Sequence, residues 1–304
     1  MRIIISFVVS LCISAAVFAQ SITNQDDLNK IAGDIAGAIK ANYGFVTGSG
    51  NYYSPGVRQF PGLRIGVGAG VAGNASLFTV FNNGLSTTTN ILDAFKLLPG
   101  VYDMVYGKVG LFDLPLIGLI DVGGRLGYFP KTTFTLPGGY GFTVDNFAFG
   151  LEVRRKMLDE FGGLLKLDIR ASIDVNSGSI ALGYSNTVSN VTLTVTNTMA
   201  WTGSSFGVKA VGGISIPFLG TVYAGIGPNI NVGSVKDTIN VNGSGELFGT
   251  VMNLPGLNAS GTASYDAFDI RALAGVHLFV LDVAVEYGLL SKGICLSGGV
   301  SFFF

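Results

Sequence analysis

The 304-residue chain carries 12% charged residues against 48% hydrophobic ones, with a formal net charge of −1. Soluble domains average about 25% charge, so an ordinary water-soluble fold is disfavoured, and near-neutrality removes the case for a nucleic-acid partner. Beyond the first residues no run of about 18 apolar side chains occurs, which excludes a bundle of membrane-crossing helices.

Residues 1–19 read as a secretory leader. Arg2 supplies the charge, Ile3 to Val17 is apolar apart from Ser6, Ser10 and Ser14, and Val17-Phe18-Ala19 offers a cleavage site after Ala19. A retained anchor is the alternative, but the run is short for a span. Acylation at Cys12 is disfavoured by the bulky Leu11 before it. Once the leader is removed, Cys295 is the lone cysteine, so no intramolecular disulfide can form, and it reads as a small strand residue.

Residues 20–61 form a second region. Leu28, Ile31, Ala32, Ile35 and Ile39 recur at helical spacing and predict an amphipathic helix over 23–40. Thr23 or Asn24 caps it, Asp26 and Asp27 suit the positive end of its dipole, and Lys40 the negative end. A Gly- and Tyr-rich linker, Tyr43 to Pro61, follows. Leu28, Ile31, Ile35 and Ile39 are expected to seat the helix as a plug in a lumen. A helix on the membrane surface and a periplasmic appendage are the alternatives.

Residues 62–304 alternate. From Leu165 to Asp174, Leu165, Leu167, Ile169, Ala171 and Ile173 share one face, and Lys166, Asp168, Arg170, Ser172 and Asp174 the other. Ten strands are expected, near 63–72, 103–112, 119–128, 143–154, 164–174, 202–216, 221–232, 265–278, 281–290 and 293–304. Short connections (113–118, 156–163, 217–220, 279–280) alternate with long ones (73–102, 129–142, 175–201, 233–264). This predicts an all-β, antiparallel, transmembrane up-and-down β-barrel with short periplasmic turns and long external loops. Further β-like stretches at Ser179–Tyr184, Val191–Thr198 and Lys236–Val241 would either lengthen strands above the membrane or raise the count to twelve or fourteen.

The last strand alternates Ile294, Leu296, Gly298, Val300, Phe302 and Phe304 to the final residue. Here the chain resembles bacterial outer-membrane β-barrel proteins as a class. The resemblance implies outer-membrane lipid as surroundings, and the barrel-assembly machinery as a partner that reads Phe302 and Phe304. The N-terminal segment is similar to that of the fatty-acid-transporter type of barrel, although that family is longer and has more strands.

The inward row carries Arg64, Lys108, Asp121, Arg125, Glu152, Arg154, Lys166, Asp168, Arg170, Lys209, Asp269, Arg271, His277, Asp282 and Glu286 as candidate lumen-lining residues. Unpaired buried charge is costly, so these should pair with one another, with water or with the helix. A Ser–His–acid hydrolase needs a histidine base. The lone His277, with Asp282 and Glu286 on the next strand to orient it, would sit inward at the periplasmic end, away from the outer leaflet. No catalytic residue, metal site or cofactor is therefore expected. The expected function is a channel or transporter for a small or hydrophobic solute with the N-terminal helix as plug; a structural or adhesive surface barrel acting through its loops, and after it a lipid-modifying enzyme, are the alternatives.

Overall fold

The computed structural model describes residues 25–49, 55–57, 60–74, 100–114, 118–136, 140–161, 163–188, 191–247 and 250–304. A helix, α1 (Gln25–Thr47), precedes β1 (Leu63–Asn74), β2 (Gly100–Leu114), β3 (Gly118–Leu136), β4 (Tyr140–Glu160), β5 (Leu165–Val188) and β6 (Val191–Ile216). Then come β7 (Gly220–Leu247), β8 (Thr250–Ser264), β9 (Phe268–Leu278), β10 (Leu281–Gly288) and β11 (Gly293–Phe303). Every pairing is antiparallel between ring neighbours, and the ring closes where β1 pairs β11, from Arg64 opposite Phe303 to Asn74 opposite Gly293. β9 pairs the first part of β7 and β8 the second, so they are two lengths of one broken strand and the ring has ten positions. Closure leaves no open edge in the ring, the condition for placing backbone in hydrocarbon.

The outward row is apolar and exposed: Phe147, Phe149, Leu151 and Val153 on β4, Ile169 and Ile173 on β5, and Val222, Ile226, Ile230 and Val232 on β7. Water would not tolerate so continuous an apolar girdle, whereas lipid does. Partway up, the two faces exchange chemistry without a change of register. On β7 the outward row passes from Val232 to Ser234, Lys236, Thr238 and Asn240, while the inward row passes from Asn229 and Asn231 to Val235 and Ile239. On β5 the outward change falls between Val175 and Ser177, on β6 between Phe206 and Ser204, and on β4 between Phe147 and Asp145. Below this level the molecule is a membrane barrel, and above it a water-facing sheet with an apolar inside.

This exchange corrects the expected strand ends. The segments expected as loops at 129–142, 175–201 and 233–264 are largely the paired upper halves of β3–β4, β5–β6 and β7–β8. The β-like stretches within them lengthen strands rather than add to the ring. The connection expected at 73–102 lies mostly outside the described residues. β10 and β11 stay short, 8 and 11 residues, so the wall is low on one side and tall on the other.

Helix α1 leans on the tall side. Leu28, Ala32, Ile35, Ile39 and Tyr43 pack with Ile180, Leu182, Met199, Trp201, Val235 and Ile239 as one cluster, with Ile31 at its margin. Gly33 meets Gly261 of β8 so closely that a Cβ on Gly261 would strike the helix backbone. The helix runs seven residues past its expected end at Lys40. The Gly/Tyr-rich stretch reads locally as linker, but burial of Tyr43, Phe45 and Val46 stabilises further helical turns. Lys40 is therefore mid-helix and pairs with Asp266 at 2.8 Å instead of meeting a helix end. Among the described residues no helix is long and apolar enough to cross a membrane, which says nothing of strands.

Candidate functional site

The inward row of the membrane half meets in the middle of the barrel. Eight strands suffice for side chains to fill an interior, so ten strands close only with long side chains or an inserted segment. Both occur here. The acidic side chains Asp121, Glu152, Asp168, Asp174, Asp269, Asp282 and Glu286 lie among the cations Arg64, Lys108, Arg125, Arg154, Arg170, Lys209 and Arg271, all buried, with Lys166 half-buried below them.

Most of the pairs join neighbouring or next-but-one strands around the wall, and Lys209 with Glu286 reaches over two strands. Lys209 on β6 reaches Glu286 on β10 at 2.9 Å, and Arg271 lies 3.6 Å from the same carboxylate. Arg154 donates from Nε to Asp121 at 2.8 Å and approaches Glu152 and Asp168 at 3.8 and 3.9 Å. Glu152 also meets Lys108, and Arg170 at 3.6 Å. Arg125 spans from β3 over β4 to Asp174 on β5 at 2.8 Å, and Arg64 from β1 over β11 to Asp282 on β10 at 3.1 Å. Glycines on the crossed strands make these spans possible. A Cβ on Gly150 would strike both Arg125 and Asp174, and one on Gly123 would strike Lys108.

The end of α1, Ser49 and Gly56 sit within this network. Arg125 donates to the Ser49 carbonyl at 2.6 Å, and Arg271 donates to the Gly44 carbonyl at 3.3 Å while its guanidinium lies over the Phe45 ring at 4.7 Å. Lower down, the Gly56 amide donates to Asp168 at 2.9 Å. Arg271 is 0% exposed and Lys209 2%, values that a water-filled pore would not allow. Two cavities beside these residues measure about 20 Å³ and about 10 Å³, the larger lined by Gly56, Arg64, Lys108, Asp121, Arg154 and Phe303. Each has room for about one water.

His277 stands at the short-turn end with Nδ1 3.4 Å from Asp282 and its ring edge-on to Phe303. Glu286, considered above as a second orienting carboxylate, lies elsewhere and serves Lys209 and Arg271. Asp282 is shared with Arg64 and with the Tyr223 hydroxyl, which donates to it. Among the described residues no three His, Cys, Asp or Glu side chains are grouped to hold a metal ion. Cys295 is buried beside Phe45, Ala72, Met104 and Tyr106. Phe302 and Phe304 lie exposed on the outward row of the closing strand.

Sequence reasoning omitted Asp174, Tyr223 and Ser49 from the lumen set. Asp174 was legible, since it shares the inward register with Asp168 and Arg170. Tyr223 and Ser49 were not, because a tyrosine in a strand and a serine in a linker carry no charge signal.

The architecture is that of an outer-membrane β-barrel. No protein-family model matches the chain, and no curated protein matches it in sequence. Similar solved structures include a major outer membrane protein from Thermus thermophilus, at 11% identity over 80% of this chain and 99% of that one, with a TM-score of 0.35. The translocator domain of autotransporter NalP from Neisseria meningitidis gives 12% identity, 90% and 98% coverage and a TM-score of 0.34. LpxR from Salmonella typhimurium gives 11%, 79%, 100% and 0.23.

Proposed function

We propose that the chain is a bacterial outer-membrane barrel with a sealed lumen, acting at the cell surface through its helix-backed upper sheet rather than as an open pore. One observation carries this reading: the inward charges pair with one another between strands and are almost fully buried, with cavities of only about 10 and about 20 Å³ beside them. Buried ion pairs resist opening of the lumen, because separating them would leave unpaired buried charge. The upper sheet supports the same reading. β5, β6 and β7 run 24, 26 and 28 residues, against the roughly ten a membrane-crossing strand needs, and their inner face is packed against α1.

The runner-up is a transporter for a small or hydrophobic solute with residues 25–57 as a removable plug. It is favoured by the few non-covalent bonds that hold the threaded segment, chiefly those from Arg125 and Arg271. Planar-bilayer recordings distinguish the two. The intact protein is expected to give no steady conductance above that of bare membrane. A steady open level in the intact chain would overturn the sealed-barrel reading. A pore that opens only when residues 25–57 are deleted would favour the plug.

A further inference from the structure

Read backwards from β1, the contacts of the N-terminal segment climb the barrel in order. Phe60 donates its amide to the Leu111 carbonyl, close to the short β2–β3 turn. Gly56 reaches Asp168, four residues into β5 from the short-turn end. Ser49 sits at mid-height on Arg125. Phe45 lies against Gly293, the first residue of β11 at the opposite rim. Above that rim Lys40 pairs with Asp266, and the Asn29 side chain accepts a bond from the Ser260 amide. Gln25 donates to the Asn258 carbonyl at the far end of the ascent.

The described residues from 62 back to 25 therefore ascend from one end of the barrel to the other. Leu63 and Phe304 are hydrogen-bonded together at the short-turn end, whereas Gln25 stands at the long-strand end. Short turns mark the periplasmic side of outer-membrane barrels and long strands and loops the outside. Both contact chemistry and chain direction agree along the path. The apolar side of α1 is buried against the upper sheet, while Asp26, Asn29 and Lys30 at its start are exposed.

We infer that the barrel carries its own N-terminus across the outer membrane and presents it at the cell surface, with α1 as the stem. The function is display: Gln25 and the exposed start of α1 stand on the outside. This goes beyond the sealed-barrel reading, and explains what the sealed lumen holds. Assembly must then close the strands around Ser49 and Gly56, and any leader must be removed before or during that step.

The test is cysteine labelling of the full chain in intact cells. The reagent is a maleimide on a polymer too large for general porins. Asp26→Cys and Lys30→Cys are exposed on α1, Thr135→Cys is an outside control on upper β3, and Phe218→Cys is a periplasmic control in the β6–β7 turn. Asp26→Cys and Lys30→Cys should label in intact cells as fully as Thr135→Cys, and Phe218→Cys only after the outer membrane is breached. An epitope inserted between Asn24 and Gln25 should likewise bind antibody on intact cells. If Asp26→Cys and Lys30→Cys label only with Phe218→Cys, the threading inference is wrong and the sealed barrel stands. If Thr135→Cys is protected while Phe218→Cys is reactive, the barrel is inverted and both readings fall. Heat-dependent gel mobility of each variant shows that the barrel is folded when labelled.

Discussion

Gly150 shows how much a missing side chain can do. It sits on β4 directly under the Arg125–Asp174 pair, and any Cβ there would occupy the space of both groups. Gly150→Val should separate the pair and cost about 3–5 kcal/mol, the usual result of leaving a buried charge without its partner. Gly124 faces outward, and its Cβ would meet only ordinary contacts near Leu151. Gly124→Val should therefore stay within about 0.5 kcal/mol of the parent. Urea unfolding of the two variants in detergent checks the contrast. Asp237 poses a different problem, in the water-facing half. It is fully buried on β7 between Val235 and Ile239, beneath α1. Its charged form is met by the Asn197 amide at 3.0 and 3.1 Å. Burial outweighs that bond and pushes its pKa up from 3.8 to about 7. Because the folded pKa is raised, its contribution to stability is complete below about pH 4 and is lost as pH rises through about 7. Asp237→Asn should abolish that fall, leaving the upper sheet equally resistant to protease at pH 6 and pH 8, where the parent loosens at the higher pH.

At the scale of elements, the helix and the upper sheet depend on one another. In proteins most helical stability comes from packing of an amphipathic face, and α1 has no basic residue in its last turn to meet its dipole. Packing supplies the stability instead. Ile35→Ala should cost about 2–5 kcal/mol through the cavity it leaves, and should speed cleavage of α1 by an external protease. Asp34→Ala, on the exposed side, should leave the cleavage rate unchanged. The membrane half of each strand was legible in the sequence because lipid demands one chemistry on every second residue. The expected ends near 174 on β5 and 232 on β7 fall where the outward row turns polar. Those positions mark the edge of the lipid and not the end of the strand. The continuation was harder to see, because Val235 and Ile239 keep the period of two while moving the apolar residues to the other face. The last turns of α1 were hidden for a related reason: Tyr43, Gly44 and Phe45 have linker-like composition, and only their seat at the lumen mouth makes them helical. The break between β8 and β9 was likewise unreadable, since its residues 265–267 are identified only by where β7 pairs.

For the whole molecule, two environments meet along continuous strands, and the inward side of each supports the other. The charged belt seals the lumen below; the apolar cluster under α1 begins where the belt ends, with Tyr43 stacked on Trp201 at 4.5 Å between them. The inward charges were legible in the sequence from alternation alone, yet which pairs form was not, because Arg125 with Asp174 and Lys209 with Glu286 join strands that are not neighbours. The exchange of faces along β7 is what divides the membrane barrel from the water-facing sheet, and a depth profile of spin labels on its outward row tests it directly. Labels replacing Val222, Ile226 and Ile230 should collide with dissolved oxygen and be shielded from a water-soluble nickel chelate. Labels replacing Lys236 and Asn240, on the same face of the same strand, should show the reverse. Equal accessibility to the two reagents at Ile226 and Asn240 would contradict that division.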